Sequence, residues 1–288
     1  MAIDPERLFA TPIREVRQAY GAKDVILYAL GVGAASDPAM DELALVYEGR
    51  LQILPSMAVV LGYPGFWQAE PQYGLDWRRV LHGEQSIELH APLATEGVIV
   101  TRSTLDRLID KGAEKGALLY WTRRLHDEAS GAHLATVRQS SFLRGDGGCG
   151  DWGEGEAIQI RPLPDGPPDE SVTMQTRPDQ ALLYRLNGDF NPLHADPEVA
   201  KSVGFAKPVL HGLCTYGFAG RALVHALCDG QADRLRRLDV RFSSPVLPGD
   251  ALRVDIWRHA DGAAQFRCVI PDREVVVLNN GYAEVVQP

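Results

Sequence analysis

The sequence predicts an α+β chain built from two copies of one unit, each a helix wrapped by antiparallel strands. Three observations carry that expectation. Pro55 and Pro208, and likewise Pro92 of Ala91-Pro92-Leu93 and Pro245 of Ser244-Pro245-Val246, share one separation of 153 residues (208 − 55 and 245 − 92), the mark of an internal repeat. The run after Pro208, from Val209 to Leu227, is too apolar for a surface helix and stops at Asp229-Gly230, which makes it a buried central helix. Leu238, Val240 and Phe242 alternate with Arg237, Asp239 and Arg241, and Leu252/Val254/Ile256 and Phe266/Cys268/Ile270 repeat the pattern, as antiparallel strands with one buried face do.

In chain order, the first copy opens with Tyr28-Ala-Leu-Gly-Val-Gly33, an amphipathic stretch from Asp41 to Gly49, and a short apolar segment from Pro55 to Leu61 closed by Pro64-Gly65. Strand signals follow around Ile87 and Leu89, then at Val98–Ser103, Leu118–Thr122 and His133–Arg138. From Arg144 to Glu170 the composition turns to glycine, proline and acid, so the expected division is a first repeat at 1–145, a linker at 146–170 and a second repeat at 171–288. In the second copy, Thr176-x-x-Asp179 has the form of a capping box for a short helix that Asn187-Gly188 ends. Asp196-Pro197 then opens a helix that can run only to Gly204.

Composition sets limits on function. At 288 residues and 45% hydrophobic content the chain can bury a full core, and its formal net charge of −9 argues against nucleic acid or an anionic membrane as partner. No run of about 18 apolar residues occurs. The four cysteines, Cys149, Cys214, Cys228 and Cys268, show neither CxxC spacing nor a disulfide framework, which fits a reducing compartment. The chain starts without a charged-then-apolar leader and ends Val-Gln-Pro rather than in a peroxisomal tripeptide, so the expected localisation is cytoplasmic.

The chemistry-bearing stretch is Tyr184-Arg-Leu-Asn-Gly-Asp-Phe-Asn-Pro-Leu-His-Ala-Asp-Pro197, a loop pinned by helices at both ends. An aspartate and a neutral histidine five residues apart on such a loop, Asp189 and His194, can hold one water between them and move its protons. Asn191 is placed to fix their geometry. Gly212, at the start of the buried helix, offers a bare N–H at the positive end of the helix dipole, suited to an oxygen gaining negative charge. Taken singly, Asp189 after Asn-Gly is an ordinary turn residue and His194 an ordinary loop histidine; it is their occurrence together with Asn191 and Gly212 that points to acid–base chemistry. HExxH, GxSxG and paired Cys/His sets are lacking, Gly31-Val-Gly33 is too short for a dinucleotide loop, and the expectation is no metal and no cofactor.

The loop sequence, together with Gly204-Phe…Pro208-Val-Leu-His-Gly-Leu and Phe242-Ser-Ser-Pro-Val-Leu-Pro-Gly-Asp250, closely resembles the hydratase-2 (MaoC-like) enoyl-CoA hydratases. Tyr28-Ala-Leu-Gly-Val-Gly33, Leu54-Pro-Ser-Met57 and His82-Gly-Glu-Gln85 look like the first half of the two-repeat members of that family. The resemblance implies a double hotdog fold and hydration of trans-2-enoyl-CoA to the (3R)-3-hydroxyacyl-CoA, in fatty-acid metabolism such as β-oxidation. It makes Asp189 and His194 the catalytic pair, Asn191 their support and the Gly212 N–H the oxyanion donor; which of the pair is the base stays open. The first copy, with Ala58 and Val59 where the second has His211 and Gly212, has lost the chemistry.

An acyl-CoA partner needs basic side chains for its phosphates, and position alone nominates Lys207, Arg221 and Arg241, with His211 beside the site as a packing, capping or substrate-binding group. A homodimer is expected. His82-Gly-Glu84 reads as strand entry. Two rivals stand beside the hydratase, a hotdog acyl-CoA thioesterase and a catalytically silent acyl-CoA-binding subunit, and the resemblance also leaves open a dehydratase acting on carrier-protein substrates or on a branched dicarboxylic CoA. The first copy's helix, bracketed by Pro55 and Pro64 against Pro208 and Gly230 in the second, should leave part of its trough open for a medium or long acyl chain between Ile87, Leu89 and Val98, unless Phe66-Trp67 folds back and plugs it.

Overall fold

A computed structural model describes residues 3–287; Met1, Ala2 and Pro288, on which the reading of the two chain ends partly rests, lie outside it. The first half supplies strands β1 (Val16–Tyr20), β2 (Val80–Leu89), β3 (Gly97–Asp110), β4 (Ala117–Asp127) and β5 (His133–Leu143). The second supplies β6 (Glu170–Gln175), β7 (Leu235–Phe242), β8 (Ala251–Arg258), β9 (Ala263–Ile270) and β10 (Val275–Val285). All ten form one antiparallel sheet in the order β1-β3-β4-β5-β2-β7-β10-β9-β8-β6. Read inward from each edge, 1-3-4-5-2 and 6-8-9-10-7 are the same order, so the sheet is a tandem repeat. The halves join where β2 pairs with β7, Gln85 opposite Val240 and Ile87 opposite Leu238.

Among the described residues six α-helices accompany the strands: α1 (Pro5–Ala10), α2 (Ala22–Gly31), α3 (Leu43–Val46), α4 (Gln180–Tyr184), α5 (Pro197–Ser202) and α6 (Gly212–Cys228). The last is the buried central helix the sequence predicts. Tyr216, Ala219, Ala222 and Leu223 are wholly buried in one core with Leu238, Val254, Phe266, Cys268 and Leu278 of the strands, Phe218 packs against Gly33 of the first repeat, and the Tyr216 hydroxyl donates to the Leu238 carbonyl at 2.8 Å. Asp229, in the left-handed region at φ 50°, ends it. Each repeat is thus a hotdog, and the chain is a double hotdog.

Several expectations change in detail. The capping box at Thr176 does not form, because the Thr176 hydroxyl donates to the Asp250 carbonyl at 2.7 Å and accepts from the Gly249 N–H at 3.0 Å; the helix starts only at Gln180. Strands β1, β6 and β10 lack an alternation clear enough to announce them. Between Gly145 and Asp169 the backbone carries neither helix nor strand, apart from a bridge of Trp152 to Leu108.

In the first repeat a single 3-10 turn, Pro55–Val59, stands where α6 stands in the second. The following segment does fold back. Trp67, 0% exposed, packs edge-on against Trp121 and Tyr73 at centroid distances of 5.7 and 4.7 Å, whereas Phe66 stays 44% exposed. The plug therefore fills the trough at the start of β2. At the opposite end a cavity of about 460 Å³ opens between Leu51, Pro55, Leu89, Leu93 and Leu235. Val98 does not line the trough: its neighbour Ile99 takes the inward place, and alternation turns Val98 away.

Candidate active site

The loop after α4 is shaped by its own side chains. A 3-10 turn at Arg185–Asn187 ends on Gly188, whose φ of 111° favours glycine, and the chain then turns through Asp189. The Asn191 N–H donates to the Asp189 carboxylate at 3.1 Å, and the Asn191 side chain in turn accepts from the Leu193 N–H at 3.0 Å, capping the short turn Pro192–His194. Asn191 thus supports the pair through the backbone.

His194 donates from Nδ1 to the Val209 carbonyl at 2.8 Å, which fixes the tautomer and leaves a lone pair on Nε2. Its ring stacks on His211 at a centroid distance of 3.7 Å. His211, almost fully buried, donates from Nε2 to the backbone carbonyl of Asp189 at 3.2 Å and leaves Nδ1 without a partner. One polar atom from each of Asp189, His194 and His211 lies within 4.8 Å of the other two. Burial lowers the pKa of His194, outweighing the Val209 carbonyl and the Asp189 charge that oppose it. For His211 burial and then repulsion from His194 bring it to about 4. Both imidazoles are therefore neutral at pH 7 beside a carboxylate.

Gly212 begins α6 directly after His211, so its N–H has no intrahelical partner and lies at the positive end of a helix of 17 residues. A Cβ there would stand 3.2 Å from Phe242 Cε1. Glycine lets the helix start approach that ring. Asp189, His194 and the helix start thus converge where the two repeats meet.

The expected phosphate ligands do not all gather at the site. Arg221 is 1% exposed and points into the core: Nε and Nη2 donate to the two Glu42 carboxylate oxygens at 2.9 and 2.6 Å, and Nη1 to the Val32 carbonyl at 2.7 Å. It clamps the first repeat onto α6, with all three of its nitrogens engaged inside the core and out of reach of a phosphate. Arg241 lies on the outer face of β7, since its neighbour Phe242 points inward to Gly212. His211 lies inside the cluster with Asp189 and His194, almost fully buried. Lys207 alone is exposed near the loop, its Nζ 3.3 Å from the Pro248 carbonyl.

The first repeat contributes more than its sequence announces. His82, read as strand entry, packs at a tilt against Phe242 with ring centroids 4.6 Å apart, and burial holds its pKa down to about 4. Tyr63 reaches the charge of Asp189; burial first, and then that charge, push its phenol up to about 12. A bulge at Gly83 turns His82 inward. No spacing signal reveals either residue, because both come to Asp189 from a different repeat.

Asp189, His194 and His211 also form the one group of donors among the described residues close enough to hold a metal ion. The three are two imidazoles and a carboxylate, a set that suits a divalent cation as well as a water molecule.

Comparison with known proteins places this geometry. The MaoC like domain family matches residues 159–276, and the MFE-2 hydratase 2 N-terminal domain family matches residues 19–145. The 3-hydroxyacyl-thioester dehydratase Y of Mycobacterium tuberculosis is 40% identical over 295 residues, 99% of each chain. The peroxisomal enoyl-CoA hydratase 2 of Arabidopsis thaliana is 37% identical, over 87% of this chain and 85% of its own. A MaoC-like dehydratase from Phytophthora capsici superposes with a TM-score of 0.87 at 32% identity, over 99% of this chain and all of that one. With these relatives and two hotdog repeats of which only the second carries the Asp/His loop, the chain belongs to the hydratase-2, MaoC-like family, in its two-repeat form.

Proposed function

We propose that this protein is a hydro-lyase that adds water across the double bond of a trans-2-enoyl-CoA to give the (3R)-3-hydroxyacyl-CoA. The observation that carries the reading is the convergence of the Asp189 carboxylate, the neutral His194 Nε2 and the start of α6 at one point. A water held between Asp189 and His194 gives up a proton as its oxygen bonds to C3, and a proton is delivered to C2. Charge that develops on the thioester oxygen meets the Gly212 N–H and the helix dipole. The net reaction consumes one water and needs no redox partner. Kinship with enzymes named enoyl-CoA hydratase 2 supports the substrate class and the R product.

The deciding experiment is loss of the enoyl absorbance of crotonyl-CoA and decenoyl-CoA, with chiral analysis of the product. Release of free thiol would identify a thioesterase instead, and binding without turnover a silent subunit. Activity that survives exhaustive dialysis against EDTA would support the metal-free reading over a cation held by Asp189, His194 and His211.

For the CoA phosphates, a groove of about 460 Å³ at the same strand ends as His82 is the better candidate, together with Lys207. It gathers Arg79, Lys111, Lys115 and Arg144, with Glu114 as the one acid, around Phe142, in a protein of net charge −9. Arg79 directly precedes β2, three residues before His82. The finer reading is a cytoplasmic homodimer. Four unpaired cysteines support a reducing compartment, and no helix among the described residues is long and apolar enough to cross a membrane. Light scattering and fractionation test these two points.

A further inference from the structure

The floor of the first repeat's trough contains a cation that its surroundings do not neutralise. Arg123, on the inward face of β4, is 0% exposed. Its Nη2 donates to the carbonyls of Ala58 and Val59 at 3.1 and 2.7 Å, capping the short turn above it. Its Nε and Nη1 have no partner at all. Tyr63 lies over the guanidinium, 5.4 Å from ring centroid to Cζ, and is the titratable group that acts on it. Among the described residues no carboxylate forms an ion pair with Arg123. Burying an ion without a counter-charge costs several kcal/mol, so a guanidinium retained here calls for an anion that arrives from outside.

The neighbouring atoms narrow its chemistry. Ser103 is the cross-strand partner of Arg123, and its Oγ is also buried and unpartnered. The guanidinium Nε and Nη1, which carry three N–H bonds between them, and a hydroxyl are all able to donate. A carboxylate, which only accepts and matches a guanidinium in two-point geometry, satisfies such a set better than a hydroxyl or a methyl end. In the second repeat β9 carries Ala264, Phe266, Cys268 and Ile270, all buried, on the corresponding floor. The polar set is peculiar to the repeat that has no catalytic loop, and Tyr63 links it to the site, since it also feels the charge of Asp189.

We propose that Arg123, with Ser103, is a subsite for a carboxylate at the far end of the acyl chain, so that the substrates include mono-CoA thioesters of dicarboxylic acids. Tyr63 covers the subsite and swings aside when such a tail enters. The proposal rests on the hydratase reading for its substrate scaffold, and it is tested separately from that reading by binding. Calorimetry on the intact protein compares saturated acyl-CoAs of six to sixteen carbons that end in methyl with those that end in carboxylate. At one intermediate length the carboxylate-ended ligand is expected to bind at least tenfold tighter than its methyl-ended counterpart, with the advantage falling away on either side. In Arg123→Met that ratio is expected to fall at least tenfold, and in Arg123→Lys by less. Equal affinity of the two series at every length in the wild-type protein overturns the proposal even if the variants do not fold. A ratio unchanged in folded Arg123→Met, with all ligands weakened alike, overturns it too and leaves Arg123 as the cap of the Pro55–Val59 turn. Failure to hydrate crotonyl-CoA would count against the hydratase reading alone.

Discussion

The two repeats share a strand order but treat the space above the sheet in opposite ways. In the second, a helix of 17 residues lies on an apolar floor, and its buried arginine, Arg221, is matched by the carboxylate of Glu42. In the first, a turn of five residues covers a floor that includes Arg123, Gln85, Gln139 and Ser103, and its buried arginine meets only carbonyls and an aromatic ring. One repeat is filled by its own chain. The other keeps unspent polar groups, and the proposed division of labour gives chemistry to one copy and specificity to the other.

The comparison breaks first if the loop is not where the chemistry happens. Asp189→Asn and His194→Gln are each expected to lower turnover on crotonyl-CoA by about 10² or more, the effect of losing one acid–base partner. Circular dichroism and thermal melting should stay near wild type, because both residues lie on a partly exposed loop. Near wild-type turnover in either variant would remove the assigned pair.

The two arginines give the next test. Arg221→Met leaves Glu42 buried and unpaired, so denaturant unfolding should show a loss of about 3–5 kcal/mol. Arg123→Met orphans no carboxylate. It removes hydrogen bonds to two carbonyls, at a cost of about 1–2 kcal/mol, while it relieves an unneutralised charge. Equal losses in the two variants would mean that Arg123 is as structural as Arg221.

The pH dependence follows from the depressed histidines. His82 and His211 each titrate near 4 in the folded protein against about 6.5 when unfolded, so the unfolded chain binds more protons between those values. Their contribution to stability is complete above about 6.5, is lost as the pH falls from there, and stops changing below about 4. The pKa of His194 is lowered in the same sense, so kcat/KM should hold below pH 6.5 before its acid limb sets in. An acid limb centred above 6.5 would contradict a neutral, buried His194.

How much of this was legible in the sequence depends on distance along the chain. Asp189, Asn191, His194 and Gly212 fall within 24 residues, and local signals place them correctly: Gly188 ends one turn, Asp196 caps the next helix, and Asp229-Gly230 ends α6. The failures are long-range. Arg221 was a reasonable phosphate ligand until Glu42, 179 residues away, took its donors. Arg241 fell to the outer face by the parity of one strand position. His82 and Tyr63 join the site only because β2 pairs with β7, and that register is not written in either strand alone. Trp67 and Phe66 looked equivalent, and only the packing of Trp121 and Tyr73 selected the first as the plug.

The smallest expected effect also separates the repeats. If the first copy holds the CoA phosphates as well as the acyl tail, reversing the charge of Lys111 and Lys115 together should raise KM for crotonyl-CoA several-fold and leave kcat nearly unchanged, since both lysines are exposed and lie on the β3–β4 turn away from Asp189. Such surface contacts are individually weak and screened by salt, so the difference should shrink as ionic strength rises. The thioester of pantetheine alone, which lacks the nucleotide and its phosphates, provides the control. Wild type and the double variant should hydrate it with the same KM. A KM increase of equal size for both substrates would show that the substitutions disturb the turn itself, and no increase for either would move the phosphates to the Lys207 side of the loop.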